Sequence, residues 1–360
     1  MKITYISHVD WDWIKQRPQF LAEEMAEKCQ IVYVYRKVIG QRLGVKNIKN
    51  PKIKYKVIYL LPLTRFRIIR KINTWICKVV EKSIVLREKT DIIWTSDCHC
   101  TDIFGKNKKV VYEVMDLYGE MVISQKEKQK IFSDEQMMME KADHVIVTSL
   151  YIQEKLQEIY HIPKQNISII RNGVSLKQKN IKNITNKKNT KGKIKLAYIG
   201  TVAGWFDWEK IEYSLEKLSN IEYHIIGPVA EKPSIELPDD RIIFYGSIQH
   251  EKLSDIVKDM DILLMPFVVN EIVKAVDPVK LYEYINFFKD IICVQYKEIE
   301  RFSDFVYFYH TSEEYVDAIN KIIQGNKSKY TFEQAEKFLK QNSWEKRAEE
   351  AVQVCKELLK

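Results

Sequence analysis

The sequence predicts an α/β protein composed of two doubly wound domains, each a parallel sheet with helices on both faces. Short continuous apolar runs, typical of strands buried on both faces, alternate with amphipathic helical runs along the chain. The alternation is interrupted at the polar, lysine-rich segment 175–193 and then restarts. The 360 residues also exceed what one hydrophobic core usually organises, which favours two domains.

The expected domain boundaries follow from this interruption. We place the first domain at 1–174, the linker at 175–193 and the second domain at 194–342, with a final helix at 343–360 that packs back on the first domain. Ligands of open α/β sheets bind at the carboxyl ends of the strands, so we expect the two domains to face a central crevice there.

In the first domain, seven runs rich in β-branched and aromatic residues are interpreted as strands. These strands are expected at 1–7, 29–35, 53–63, 91–96, 109–116, 143–149 and 167–174. Apolar residues at helical spacing predict helices at about 18–28, 65–82, 134–141 and 150–160.

In the second domain the same patterns recur, and three strands end in glycine (Gly200, Gly227 and Gly246). Glycine allows a backbone to approach a phosphate or a base closely. Strands are expected at 194–200, 221–227, 241–246, 261–267, 290–294 and 305–309. Helices are expected at about 208–218, 250–258, 312–323, 331–340 and 344–359, with a further helix beginning near Pro278.

The stretch 261–285 has the pattern of a ligand site. It runs from a buried strand through a loop, 268–276, into a helix for which Asp277 is a candidate N-cap and Pro278 suits the first turn. The free N–H groups and the dipole of a helix start favour phosphate. The alternative is an ordinary solvated helix start.

Two charged residues in the first turns of this helix suit a nucleotide. Lys280 adds positive charge beside the helix start, and Glu283 offers two oxygens that can accept hydrogen bonds from a ribose diol.

The loop after the first strand contains His8, Trp11, Trp13 and Arg17, which are unusual residues for a simple connection. The tryptophans and the arginine can stack on or clamp a polar substrate at the edge of the sheet. Alternatively, the tryptophans pack under the neighbouring helix.

The positive charge of the chain is regional. Residues 36–89 contain sixteen Lys or Arg residues and two acids, although the whole chain carries +9. Within this region, 65–82 is a basic amphipathic helix that either covers the sheet with its apolar face or binds an anionic membrane surface. Because the positive charge is regional, no nucleic-acid partner is expected.

The location of the protein is expected to be cytoplasmic. No run of eighteen apolar residues is present, and the N-terminal residues lack the pattern of a signal peptide. The six scattered cysteines do not suggest a disulfide framework, and Cys98-His99-Cys100 has no second ligand cluster at finger-like spacing, so no metal site is expected.

Several motifs in this order resemble those of retaining nucleotide-sugar glycosyltransferases of the GT-B fold, especially the bacterial teichuronic-acid and capsule type. These motifs are DWDWIKQRPQ after the first strand, ADHVIVTS (142–149), RNGV (171–174), RIIFYG, DILLMPF, PVKLYEY and the SW pair at Ser343 and Trp344. The resemblance covers nearly the whole chain.

The resemblance implies a transfer from a nucleotide-diphosphate sugar, UDP by family habit, to a lipid-linked or growing cell-surface glycan. The enzyme would work beside the inner face of the membrane, without metal or other cofactor. Glu283 would hold the ribose. The remaining donor contacts would come from Gly200, Thr201, Gly204, Ser247, Ile248, Gln249, Val279, Pro278 and Lys280.

The sequence also departs from the family pattern. The acid usual at position 275 is replaced by Ala275, for which Asn270 and Asp277 are the candidate substitutes. The usual basic pair after the strand ending at Gly200 is missing, so phosphate neutralisation falls to Arg17 or Lys280.

Catalysis is expected to orient the acceptor hydroxyl and to stabilise the leaving diphosphate. Asp116, His8, Asp10 and His99 are the candidates for orientation, and a retaining front-face transfer, as the family implies, needs no separate strong base. Each of these acids has the alternative of an N-cap or a loop-stabilising turn. The alternative functions are a nucleotide-sugar epimerase of the same fold and a non-catalytic nucleotide-sugar-binding scaffold.

Overall fold

The structure is a computed structural model. It describes residues 1–41, 47–99, 108–122, 124–176, 192–231, 240–248, 252–325 and 327–360. The chain forms two compact units. Unit 1 comprises Met1–Asn172 and Trp344–Lys360, and unit 2 comprises Gly173–Ser343. Most of the predicted linker, 177–191, lies outside the described residues.

Unit 1 contains a parallel sheet. Its strands are β1 (Lys2–Ile6), β2 (Gln30–Val38), β3 (Ile53–Leu60), β4 (Ile92–Thr95), β5 (Lys109–Val114), β6 (His144–Val147) and β7 (Ile167–Ile169). The order across the sheet is β3-β2-β1-β4-β5-β6-β7. The helices of unit 1 are α1 (Arg17–Met25), α2 (Arg67–Arg87), α3 (Tyr118–Met121), α4 (Gln125–Lys141), α5 (Leu150–Tyr160) and α12 (Trp344–Leu358).

Unit 2 repeats this plan. Its strands are β8 (Ile194–Ile199), β9 (Ile221–Ile226), β10 (Ile242–Gly246), β11 (Ile262–Met265), β12 (Asp290–Val294) and β13 (Val306–Tyr309). They are parallel, in the order β10-β9-β8-β11-β12-β13. The helices are α6 (Trp208–Lys217), α7 (Leu253–Val257), α8 (Glu271–Ala275), α9 (Val279–Asn286), α10 (Ser312–Gln324) and α11 (Phe332–Gln341), with a 3-10 helix at Lys297–Phe302.

The predicted fold class is confirmed, because each unit is a doubly wound parallel sheet. In both sheets the strand order reverses beside the first strand, between β1 and β4 in unit 1 and between β8 and β11 in unit 2. Such a reversal opens a crevice at the carboxyl ends of the strands, where open α/β sheets bind ligands. Among the described helices, none combines the length and the apolar character needed to cross a bilayer.

Among the local predictions that differ from the structure, three concern the shape of the units. Helix α4 begins at Gln125, nine residues before the predicted start, because the hydroxyl of Ser124 caps the N–H of Glu127. The predicted loop 268–276 contains the short helix α8. Of the two alternatives for the helix at 65–82, covering the sheet with the apolar face is not what the structure shows in full, because α2 turns much of its apolar arc to solvent and buries Asn73 and Glu81.

Candidate functional site

The switch point of unit 2 is held open by a tyrosine hydroxyl. The register of β8 and β11 pairs them near their amino ends. Further along, the hydroxyl of Tyr284 on α9 accepts a hydrogen bond from the N–H of Ile199 (3.0 Å) and donates one to the carbonyl of Leu264 (3.1 Å). The two strand ends are therefore bridged through α9, which fixes this helix against the crevice.

Lys280 lies one turn before Tyr284 and crosses the end of β8 at Gly200. A Cβ at Gly200 would lie 2.9 Å from Nζ of Lys280 and would collide with its Cε, and Gly200 has a φ of 147°. A Cβ at Gly227, whose φ is 146°, would collide with the carbonyl of Gly200. Both positions therefore require glycine for backbone conformation and for a close approach, by Lys280 at Gly200 and by the backbone of Gly200 at Gly227.

The charge of Lys280 has no ion-pair partner in the described part of the chain. The side chain is half-buried, and its ammonium lies 6.0 Å from the centroid of the Tyr198 ring. Burial lowers the pKa of Lys280, and the nearby Glu283 partly opposes this. A bound anion beside Nζ would replace the solvation that the ammonium has lost.

The start of α9 differs from the prediction in its cap. Pro278 is the N-cap residue, and no side-chain hydrogen bond caps the helix. Asp277 does not serve as the cap, because its buried carboxylate is paired with Arg301 and accepts a hydrogen bond from the hydroxyl of Tyr282 (3.2 Å). The first N–H groups of α9, beginning with Val279, thus lack a side-chain acceptor within the described residues.

The proposed substitutes for the missing acid are both engaged within unit 2. Asn270 caps α8, since its Oδ1 accepts a hydrogen bond from the N–H of Val273 at 2.9 Å. Ala275 ends this helix and is buried, so the position at which the sequence resemblance predicted an acid belongs here to the apolar core.

The other predicted donor contacts lie around the same sheet edge. Thr201 is half-buried, and its carbonyl accepts a hydrogen bond from the hydroxyl of Tyr198 at 2.9 Å. Gly204 is exposed on the same loop, beside the carboxylate of Glu231. At the end of β10, Ser247 is exposed and Ile248 packs against the core, whereas Gln249 lies outside the described residues.

In unit 1 a second group of polar side chains gathers at the switch point. His8, after β1, hydrogen-bonds through Nδ1 to the hydroxyl of Ser96 after β4 (3.0 Å). Its ring meets the edge of Tyr118, 5.9 Å between centroids. Burial raises the pKa of Asp116, and burial together with the nearby charge of Asp116 raises the pKa of Tyr118. Asp116 and His8 are thus both neighbours of Tyr118, a residue that the sequence analysis did not select.

The other two catalytic candidates make different contacts. Asp10 accepts a hydrogen bond from the N–H of Asp12 at 2.9 Å, the loop-stabilising turn that was its alternative. His99 pairs through its ring Nδ1 with Asp134 on α4 (2.7 Å), and its backbone N–H donates to the carboxylate of Asp97 (2.9 Å).

Arg17 is a buried structural residue of unit 1. Its Nε donates to the fully buried Glu113 at 2.8 Å, and its Nη1 donates to the carbonyl of Arg171 at 2.8 Å. The carboxylate of Glu113 also accepts hydrogen bonds from Tyr5 and Trp94. The candidate for phosphate neutralisation is therefore Lys280.

The two tryptophans of the first loop have different environments. Trp11 is fully buried, with its ring 4.9 Å from that of Tyr33 and 4.7 Å from that of Tyr55. The packing alternative therefore describes Trp11, which cannot stack on a ligand. Trp13 is 43% exposed.

Asp97, Cys98 and His99 bring three possible ligand atoms within 4.8 Å of one another. However, Asp97 is ion-paired with Arg36, and burial raises the pKa of the Cys98 thiol, which disfavours the thiolate that metals bind. Cys100 lies outside the described residues.

Comparison with known proteins supports this architecture. Residues 21–178 match the sequence model of Glycosyltransferase Family 4. This match covers less than half of the chain. An uncharacterised 41.2 kDa protein in the cps region of Klebsiella pneumoniae is 25% identical over 171 residues, 45% of this chain and 46% of that protein. The chain thus matches about half the length of this curated relative.

Solved structures match over nearly the whole chain. The lipopolysaccharide outer core galactosyltransferase WaaB has a TM-score of 0.66 at 14% identity, covering 98% of this chain and 99% of WaaB. A glycosyltransferase from Rickettsia africae has a TM-score of 0.69 at 14% identity, covering 100% and 98%. Anabaena HepE in complex with UDP-glucose has a TM-score of 0.68 at 11% identity, covering 99% and 100%. The chain has the GT-B fold.

Proposed function

We propose that this protein is a glycosyltransferase that moves a sugar from a nucleotide-diphosphate sugar, with UDP as the first choice of nucleotide, to a lipid-linked or growing cell-surface glycan. The observation that carries the proposal is the half-buried Lys280, which crosses Gly200 at the start of the uncapped helix α9. A diphosphate matches this arrangement because it accepts hydrogen bonds from free backbone N–H groups and neutralises the lysine.

The donor is assigned to unit 2. Lys280 and the first N–H groups of α9 contact the diphosphate, and Glu283 accepts hydrogen bonds from the ribose hydroxyls. As the sugar departs, negative charge grows on the leaving diphosphate, and these positive groups stabilise it more strongly than they stabilise the bound donor.

Acceptor orientation is assigned to unit 1. Asp116 carries a carboxyl whose pKa is raised by burial, and the structure shows no hydrogen bond of this carboxyl with the rest of the described chain. A carboxylate of raised pKa is a better proton acceptor than an ordinary one at neutral pH. We propose that Asp116 orients the acceptor hydroxyl, with His8 and Tyr118 beside it, and that transfer proceeds with retention and without metal.

The acceptor is proposed to be lipid-linked because unit 1 carries the basic segment of the chain. Such an acceptor keeps its reacting sugar close to the bilayer, so an enzyme that also binds the bilayer gains effective concentration. We propose peripheral association with an anionic membrane surface, on its cytoplasmic side, through residues 65–82.

The test is incubation with radiolabelled UDP-sugars and a membrane lipid extract, followed by separation of the lipid and aqueous phases. Label in the lipid phase is expected. Isomerised nucleotide sugar without transfer would indicate an epimerase, and bound but unchanged donor would indicate a scaffold; either result contradicts the proposal. The anomeric configuration of the product, read by NMR, tests retention separately.

A further inference from the structure

Helix α2 presents an apolar stripe to solvent. The side chains of Ile68, Ile72, Trp75, Val79 and Leu86 are between 38% and 72% exposed. Their spacing of three, four and seven residues places them on one face of the helix. Leu63 and Phe66, also exposed, extend this surface before the helix begins. We call these seven residues the α2 stripe.

Polar contacts hold α2 in this rotation. The side-chain amide of Asn73 accepts from the N–H of Leu61 at 2.9 Å and donates to its carbonyl at 3.0 Å. Glu81, which is 1% exposed, accepts from Nη2 of Arg36 at 2.7 Å. The other buried residues of the helix are Cys77 and Val85.

Rotating α2 to hide the stripe would break both contacts. It would separate the carboxylate of Glu81 from Arg36, which is also ion-paired with Asp97, and it would remove Asn73 from both backbone groups of Leu61. The exposed apolar face is therefore the stable arrangement of this helix in water, rather than a face that the unit can bury by turning the helix.

The charge around the stripe has one sign. Glu81 is the only acid in the α2 sequence, and it faces inward. Lys71, Lys78 and Lys82 follow one border of the stripe at spacings of seven and four residues. In the part of the chain that the structure describes, no salt bridge is found for Lys71 or Lys82.

We infer that α2 lies in the interface of an anionic bilayer, with the α2 stripe inserted among the acyl chains and the lysine border at the lipid headgroups. A helix with an apolar face and a cationic border has this preference. A second copy of the chain is a poorer occupant, because in a two-fold contact it presents the same α2 stripe and the same lysines, and α2 offers no outward-facing acid to neutralise them.

The inference rests on the membrane part of the proposed function and changes its physical basis. In a contact through the basic face alone, attraction is electrostatic and is screened beyond about 8 Å at physiological salt. Insertion of the stripe adds burial of apolar surface, which salt does not screen. The two modes therefore differ in how binding responds to salt.

Vesicle binding separates the two modes without any sugar transfer. Large unilamellar vesicles of phosphatidylglycerol and phosphatidylcholine are sedimented with the wild type, with Ile72→Glu/Trp75→Glu, and with Lys71→Gln/Lys82→Gln. Ile159→Glu on α5 is the matched control, because Ile159 is 43% exposed on another helix of the same unit. Circular dichroism and thermal unfolding check that each variant is folded.

The Glu double variant is expected to lose about a hundredfold in partition coefficient, about tenfold for each apolar residue replaced. The control is expected to bind as the wild type does. At 1 M salt the wild type should still bind vesicles measurably, with the same partition coefficient as the Gln double variant. The partition coefficient of the Glu double variant should stay below both.

Brominated acyl chains provide a measurement that does not depend on a charge-introducing variant. They are expected to quench part of the tryptophan fluorescence of the wild type, and Trp75→Phe should lose most of that quenching. Binding abolished by salt, with no quenching at Trp75, would overturn insertion and leave only surface contact. Absence of vesicle binding would overturn the membrane part altogether, without touching the transferase proposal. A vesicle-free dimer that the Glu variant dissolves would assign the stripe to self-association instead.

Discussion

Replacement of Lys280 by methionine tests the donor site most directly. Methionine keeps the apolar stem that crosses Gly200 and removes the ammonium, so the packing at the end of β8 changes little. The variant distinguishes two effects of the ammonium. Its loss should weaken the binding of an anionic ligand, whereas the free protein should become more stable because it no longer holds a partly desolvated charge.

The expected loss of binding follows from the contacts available. Charge-assisted hydrogen bonds are worth about 1.5 to 3 kcal/mol, so the dissociation constant for UDP should rise by about 10- to 150-fold. Stability of the free protein should move the other way. Because folding lowers the pKa of Lys280, the charged form is disfavoured in the folded state. The neutral lysine carries no such penalty, so the stability is fully present at pH above the unfolded pKa of Lys280 and is lost as pH falls through the folded pKa. Methionine carries no charge at any pH, so at neutral pH the methionine variant should unfold at a higher temperature.

Isothermal titration calorimetry with UDP and thermal unfolding at neutral pH measure the two effects. Lys217→Met is the matched control, because Lys217 is exposed on α6 and its removal changes the net charge of unit 2 equally. Unchanged UDP affinity in the Lys280 variant, or a loss equal to that of the control, would refute the assignment of Lys280 to the diphosphate.

Three further predictions concern both units. Glu283→Gln should weaken UDP binding about tenfold or more through the ribose and leave the fold intact, as measured by calorimetry and circular dichroism; unchanged affinity would refute the ribose assignment. Asp116→Asn should lower kcat about a hundredfold or more with little change in donor affinity. Because folding raises the pKa of Asp116, the same variant should also stabilise the protein at neutral pH. This gain in stability should vanish in acid, where the wild-type carboxyl is already protonated. Equal losses in kcat and donor affinity would make Asp116 a donor contact. Trp11→Ala should cost about 3 to 5 kcal/mol in urea unfolding, whereas Trp13→Ala should cost less than about 1, and equal costs would contradict their different burial.

The fold was predictable because its signal is periodic. The buried strands β1 and β8 are predominantly apolar and β11 is entirely apolar, and the predicted bounds of each lie within two residues of the observed bounds. The short helix α8 was not predicted, because its five residues are too few for a periodic pattern and its start depends on the local cap from Asn270 to Val273.

The candidate site was predictable only in part. Lys280 and Gly200 were selected separately, but their mutual contact depends on the register of α9 against β8, which no local pattern encodes. Asp277 and Arg17 resemble site residues in sequence, and their partners Arg301 and Glu113 lie 24 and 96 residues away. Long-range ion pairs of this kind give no signal in a single sequence.

The rotation of α2 was the least predictable feature of the chain. Its apolar arc suggested burial against the sheet, since this is how amphipathic helices usually pack. Asn73 and Glu81 are polar residues, but their contacts with Leu61 and Arg36 draw them inward and leave much of the arc outside.

The return of α12 to unit 1 imposes an order on folding during synthesis. Ala348, Ala351, Val352 and Cys355 complete the core of unit 1, and Trp344 stacks on Phe20 of α1 at 5.2 Å between ring centroids. The ribosome makes all of unit 2 before it makes α12. Unit 2 is one uninterrupted segment and can close its core as soon as it emerges, whereas the first 172 residues wait with the surface of α1 uncovered. The half of the molecule that is synthesised first is therefore the half that finishes folding last, and during that interval its open flank is the surface that a chaperone would protect.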